Sequence, residues 1–316
     1  MEIVVELCAV IVAVRDGRPW VLTVERDGLP ALPSGDLDPG RDRTLDRAMR
    51  RWSAEQTGLT LGFVEQLYTF GDVDRDGAAA TRDERRLSVA YLAFVGGGEP
   101  ILSTGHGAAW LDVYRLLPWE DRRGGEPSVV ADRIRPAIAT WIEAAGDDVD
   151  EAEARAERAE IAWGGSAGRW DAVRSLERYE MLYELELVGE SQGESRGAAS
   201  GSSVDERFGP RAALDHRRVL ASAIGRVRGK LTYRPVVFEL LPPTFTLSQL
   251  QRVVEALVGV LLHKQNFRRL VEGAGLVEGT GQRAADTGGR PAELFRFRRE
   301  VVRERPTPGL GITLRR

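Results

Sequence analysis

At 316 residues, with 42% hydrophobic and 29% charged residues, the sequence has room for two domains with cores of their own and a globular composition. Its longest apolar runs are too short to span a bilayer. The N-terminal run MEIVVELCAVIVAV carries Glu2 and Glu6 where a secretion signal is basic, and the single Cys8 allows no internal disulfide, all of which points to the cytoplasm. The net charge of −4 hides a segregation: 20 Lys+Arg stand against 9 Asp+Glu from Pro210 to Arg316, and 24 against 39 in residues 1–209. A segment that basic on an acidic chain is what a phosphate-backbone partner requires.

Residues 3–14 and Trp20–Glu25 are apolar runs divided by RDGRP, where Asp16-Gly17 signals a hairpin, so they read as antiparallel strands. Thr44 can cap a helix that runs to Thr57 and stops at Gly58, with Leu45, Ala48, Met49 and Trp52 on one face. Strands follow near Gly62–Phe70 and Leu87–Val95, around the polar run DVDRDGAAATRDERR. Asp72, Asp74, Asp76, Asp83 and Glu84 are carboxylates there that could hold a cation, although loop acids are more often solvated turn formers. His106 lies in a glycine-rich turn without an acid partner and reads as a surface histidine. One further strand precedes a helix over Val129–Ala144, started or kinked at Pro136. Asp147–Glu194 is acidic and holds two helices broken at Gly164-Gly165. Val173, Leu176, Met181, Tyr183, Leu187 and Val188 give the second an apolar side that needs a partner. SQGESRGAASGSS then reads as a linker.

The basic segment opens with a helix over Asp215–Gly229, and KLTYRPVVFELLPP suggests a short strand and a Pro-Pro turn. His216 and His263 stand beside arginines as phosphate neighbours, without metal-ligand spacing. Thr246 or Ser248 can cap a helix with Leu250, Val253, Val254, Leu257 and Val258 on one face, stopped by Gly259. A second helix from about His263 to Glu272 buries Phe267, Leu270 and Val271 and leaves Lys264, Gln265, Asn266, Arg268 and Arg269 outside. Those side chains read base edges and phosphates, so the pair makes a helix-turn-helix whose second helix fits a major groove. LVEGTG and AELFRFRR look like two strands, and the polar segment between them, with Arg283 and Arg290, suits a wing over the DNA backbone. One such head reads few base pairs, so a homodimer on a palindrome is expected.

The run DHRRVLASAIGRVRGKLTYRPVVFELLPPTFTLSQLQ, followed by HKQNFRR and GGRPAELFRF, closely resembles the C-terminal winged helix of the Nudix-related transcriptional regulators, the NrtR family. YTFGDVDRD and LSVAYLAFVG are similar to the Nudix domain of that family. The resemblance implies an α+β chain: a Nudix-like α/β/α sandwich over residues 1–145, an acidic helical insert and linker over 146–209, and a winged helix-turn-helix domain over 210–316. It further implies a repressor, often of genes for NAD synthesis, that responds to ADP-ribose or a related nucleotide. A Nudix box holds Mg²⁺ with several glutamates. Aligned back from Gly58 and Leu59, its arginine is Arg51 and one glutamate is Glu55, but Arg43, Trp52 and Gln56 stand at glutamate positions. Binding without hydrolysis is therefore expected, with Arg43, Arg51 and Glu55 near the effector and no catalytic residue, metal or cofactor. A Mg²⁺-dependent Nudix hydrolase is the alternative.

Overall fold

The computed structural model describes residues 2–72, 84–96, 107–165, 170–192, 205–284, 291–304 and 309–310. Asp74, Asp76, Asp83, His106 and Arg290 lie outside these residues, as do the Glu84 side chain and most of the linker. Among the described residues, no helix is long and apolar enough to cross a membrane.

Strands β1 (Glu2–Arg15) and β2 (Arg18–Arg26) form the hairpin expected at Asp16-Gly17, both of which take positive φ as a tight two-residue turn requires. Two short strands, β3 (Leu29–Ala31) and β4 (Ser34–Asp36), fold back onto β2 and β1. Helix α1 (Leu45–Thr57) starts where the Thr44 hydroxyl accepts the Arg47 N–H at 3.2 Å and ends at left-handed Gly58. With β5 (Val64–Phe70), β6 (Glu84–Phe94) and β7 (Ala109–Asp112) the sheet has order β3-β2-β1-β6-β5; β4 also pairs with β1 and β7 with β2. β1 and β6 run parallel at its centre.

β1 is apolar without a break from Leu7 to Val14 because both faces of the sheet are covered there. Leu7, Ala9 and Ile11 pack with Ala48 and Met49 of α1, giving one layer of the sandwich. Cys8, Val10 and Val12 face the other way, into a single apolar cluster. That cluster takes in α2 (Val113–Leu116), α3 (Arg135–Glu143), α4 (Val149–Trp163), α5 (Ser175–Glu184), α6 (His216–Tyr233) and α7 (Leu247–Val258). The last elements among the described residues are α8 (Lys264–Gly273), β8 (Val277–Ala284), β9 (Ala292–Phe297) and the short α9 (Val301–Glu304). The result is an α/β/α sandwich followed by a winged helix-turn-helix.

Several local expectations change. The strand suggested by KLTYRPVVFELLPP is the last turn of α6 and a 3₁₀ turn over Val236–Leu240, because Val236, Val237 and Leu240 are buried at helical spacing. α5 begins only at Ser175, so Val173 is left exposed; Met181 and Val188 are buried as expected, and the helix also buries Arg178, Tyr179 and Leu182. Leu270 is exposed on α8, whose buried anchors are Phe267 and Val271 alone. Ahead of α3 the chain widens into a π-turn over Val130–Ile134, with Arg135 N–H bonded to Val130 O, because Pro136 has no N–H to continue an α-helical ladder.

Candidate functional site

The head is built by local chemistry. Thr246 accepts the Gln249 N–H at 3.1 Å while the Gln249 side chain accepts the Thr246 N–H at 2.7 Å, a reciprocal cap that fixes where α7 begins. Gly259 ends α7 at φ 74°, and Glu255 then holds the turn by accepting the Leu262 N–H at 2.8 Å. Phe267 and Val271 seat α8 against α7, which leaves Lys264, Gln265, Asn266, Arg268 and Arg269 exposed along the rest of that helix. Arg283 is exposed on β8. Among the described residues none of these six side chains is held by a hydrogen bond or an ion pair. The wing is braced at its base, where Phe245 and Phe295 exchange backbone bonds of 2.9 and 2.8 Å and Phe238 stacks on Phe297 at 4.3 Å.

The elbow between α7 and α8 rests on the sandwich. Arg122 N–H donates to Gly259 O at 2.7 Å, Tyr114 Oη to Ala256 O at 2.5 Å and Arg228 Nε to Leu257 O at 2.9 Å. Arg228 also binds the Glu120 carboxylate, which accepts two further bonds from Arg178 at 2.6 and 3.0 Å, and all three side chains are 0% exposed. Burial works to raise the Glu120 carboxyl, but the guanidiniums of Arg178 and Arg228 together outweigh it and bring it down to about 2. Carbonyls of Ala162, Asp171 and Ala172 take the remaining Arg178 donors, so the acidic insert is tied into the elbow. Nothing in the sequence marked these residues, since Glu120, Arg178 and Arg228 are far apart along the chain.

A cleft of about 360 Å³ opens beside α1, with Glu6, Arg26, Trp52, Gln56 and Arg86 among its walls. Arg26 donates to Glu6 at 3.1 Å and Arg86 to Asp36 at 2.7 Å, which brings two guanidiniums to the rim beside an indole. Trp52, expected on the apolar face of α1, lies against Gly35, where a β-carbon would come within 2.2 Å of the ring, and donates to Asp36 O at 2.9 Å. Gln56 spends its amide on the Ser34 backbone, donating at 2.7 Å and accepting at 3.0 Å. The residues expected at the effector do not line this cleft: Arg51 lies over the Trp52 ring at 4.5 Å and pairs with Asp42 at 2.7 Å and with Glu55 at 3.3 Å, Arg41 also reaches Glu55 at 3.4 Å, and Arg43 is exposed. The hydrogen bond to Arg51 is the chief reason the Asp42 carboxyl is held below its usual range. Glu55 is thus held by two arginines, Gln56 gives its amide to backbone, and Trp52 supplies an indole where a hard cation would need carboxylate oxygens.

His216, expected beside phosphate, is buried at the start of α6, where its Nδ1 accepts the Leu32 N–H at 3.0 Å. Burial first, and Arg26 second, push its imidazole down to about 3, so it is neutral. His263 is exposed at the N-terminus of α8. Asp72 pairs with Arg218 of α6, which also holds Glu180 at 2.5 Å.

The family model of the NrtR DNA-binding winged helix domain matches residues 237–297. The chain is 41% identical over 85 residues to the ADPR responsive transcriptional repressor NtrR of Acinetobacter baylyi, a stretch covering 27% of this chain and 34% of that protein. The match thus spans about a third of the length of this curated relative. Among solved structures, NrtR of Shewanella oneidensis in complex with a 27-mer DNA covers 95% of this chain and 95% of its own at 21% identity and a TM-score of 0.56. A MutT/nudix family protein of Enterococcus faecalis covers 94% and 87% at 17% identity and a TM-score of 0.54. Residues 237–297 therefore belong to the NrtR DNA-binding winged helix family, carried on a chain whose fold is that of the NrtR structure.

Proposed function

We propose that this chain is a DNA-binding transcriptional repressor, working in the cytoplasm as a homodimer, whose Nudix-like half senses ADP-ribose or a related nucleotide and does not hydrolyse it. The observation that carries the reading is the outer face of α8: Lys264, Gln265, Asn266, Arg268 and Arg269 exposed together, anchored from behind by Phe267 and Val271. Cations and amides displayed in this way on the second helix of a helix-turn-helix match the major-groove edges of bases and the flanking phosphates. Arg283, and Arg290 beyond the described residues, would add backbone contacts from the wing. The division of labour follows the chain: sensing in residues 1–145, bracing in 146–209, DNA contact in 210–316.

For the effector, Arg26, Arg86 and Trp52 are the fitting residues because they line the cleft, two guanidiniums for a pyrophosphate and an indole for a base, whereas Arg51 and Glu55 do not line it. Regulation of NAD-related genes is consistent with such a ligand. Replacing Arg268 and Arg269 together by Ala should weaken binding to DNA fragments that the protein selects from its own genome, by about 1 to 3 kcal/mol for each base edge no longer read. The salt slope should fall by about 1 for each phosphate no longer neutralised. Unchanged affinity and salt slope in a gel shift would remove this face from the interface.

A further inference from the structure

We infer that α6 transmits the state of the cleft to the DNA-binding elbow, and that His216 is the positioning residue at its cleft end. The inference rests on the proposal that the cleft takes ADP-ribose. Its warrant is a chain of buried contacts with a cleft wall at one end and the start of the head at the other.

At the first end, Leu32 lines the cleft and gives its N–H to His216 Nδ1 at 3.0 Å, while Ala213 N–H, just ahead of α6, donates to Pro30 O at 2.9 Å. The strap from Pro30 to Leu32 is thus bonded to the start of α6 at two points. Across about 18 Å of helix, at a rise of about 1.5 Å per residue, Arg228 donates to Leu257 O in the last turn of α7, at 2.9 Å. Gly259 and then α8 follow directly. Between these ends Val219, Leu220, Ile224 and Val227 are 2% exposed or less, so the helix is gripped along its length. A rod packed this tightly moves as a unit.

His216 suits the role because it is buried where it meets Leu32. The imidazole is 4% exposed, and its neutral form keeps Nδ1 an acceptor. Its Nε2 has no partner among the described residues, and it shares a void of about 20 Å³ with Glu6 and with Ser88, whose hydroxyl is also unpartnered. Glu6 in turn lines the cleft. A ligand that prefers one position of the strap then draws or releases α6, and the shift appears at Leu257. The ligand can change DNA affinity only by as much as it prefers one state over the other.

The test uses the full chain and two variants, His216→Asn, which keeps an acceptor near Nδ1, and His216→Leu, which removes it. Calorimetry with ADP-ribose comes first. If the unmodified chain does not bind it, the effector proposal falls and this inference with it. If it binds, DNA affinity is measured with and without saturating ADP-ribose on a fragment selected from the genome. The expected result is a change of about fivefold or more in the unmodified chain, kept by His216→Asn and reduced to near unity by His216→Leu, with each ligand alone bound by both variants within about threefold of the parent. A purely structural histidine would instead weaken both ligands and leave the ratio standing. Full coupling in His216→Leu overturns the inference while the effector proposal survives. Should His216→Leu not fold, hydrogen exchange on the unmodified chain decides. ADP-ribose must alter protection in peptides spanning the start of α6 and residues 257–262, and a change confined to the cleft overturns the inference.

Discussion

At the scale of single residues, the two side chains that matter most outside the DNA face are ionisable groups with no access to water. Glu120 stands between Arg178 and Arg228, and the carbonyls around them accept the donors that the carboxylate does not. Removing the negative partner strands two buried guanidiniums, so Glu120→Gln should cost about 3 to 5 kcal/mol, read as a fall in the urea midpoint. The pH profile follows with the same sign. Because the folded carboxyl lies at about 2 against an ordinary 4.5, its contribution is complete above pH 4.5 and is lost as pH falls towards 2. His216 acts in a different window. Its folded value of about 3 against 6.5 means the unfolded chain takes up a proton first, so stability declines as pH drops below 6.5. His216→Asn should flatten the slope between pH 6.5 and 4.5, by up to about 1.4 kcal/mol per pH unit, and leave the Glu120 window intact. An unchanged slope there would mean the imidazole is protonated in the folded state.

At the scale of elements, the elbow is the point where shape is least negotiable. Gly259 has φ 74°, and a β-carbon there would lie 2.3 Å from the Glu120 carbonyl oxygen. Gly259→Ala should therefore cost more than about 1 kcal/mol and should also weaken DNA binding, because α8 must shift to relieve the clash. Equal denaturation midpoints and equal gel shifts for variant and parent would refute this.

Helices α1 and α7 were legible in the sequence because their ends are local events: Thr44 with Gly58, Thr246 with Gly259. The same is true of the exposed cations of α8, whose period follows from Phe267 and Val271. The cleft was not legible. Its walls come from β1, β2, β3, β4, β6 and α1, and which of Arg26, Arg51 and Arg86 faces it depends on partners such as Asp42, Glu6 and Asp36 that periodicity does not assign. Arg178 and Arg228 lay inside apolar-patterned helices and gave no signal, since a buried arginine is decided by the carboxylate that meets it.

At the scale of the whole molecule, the charge boundary near Pro210 does not divide the core. Cys8, Val10 and Val12 from the central strand share one apolar cluster with Leu220, Ile224 and Leu231 of α6 and with Leu250, Val254 and Leu257 of α7. At roughly 1.5 to 3 kcal/mol for each buried aliphatic side chain, uncovering Val10, Val12, Val21 and Leu92 alone would remove a large share of the roughly 5–15 kcal/mol that holds a typical protein folded. Two consequences can be measured. The full chain should melt in one calorimetric transition with matching calorimetric and van't Hoff enthalpies, and a fragment of residues 1–209 should expose apolar surface, bind a hydrophobic dye and lose fixed tertiary packing. Two separate transitions, or a well-packed monomeric fragment, would show instead that residues 1–209 and the winged helix-turn-helix part fold independently. A shared core makes such independence costly, because a sheet that loses α6 and α7 presents its second face to water, and α7 without the sheet has no seat for the elbow that aims α8.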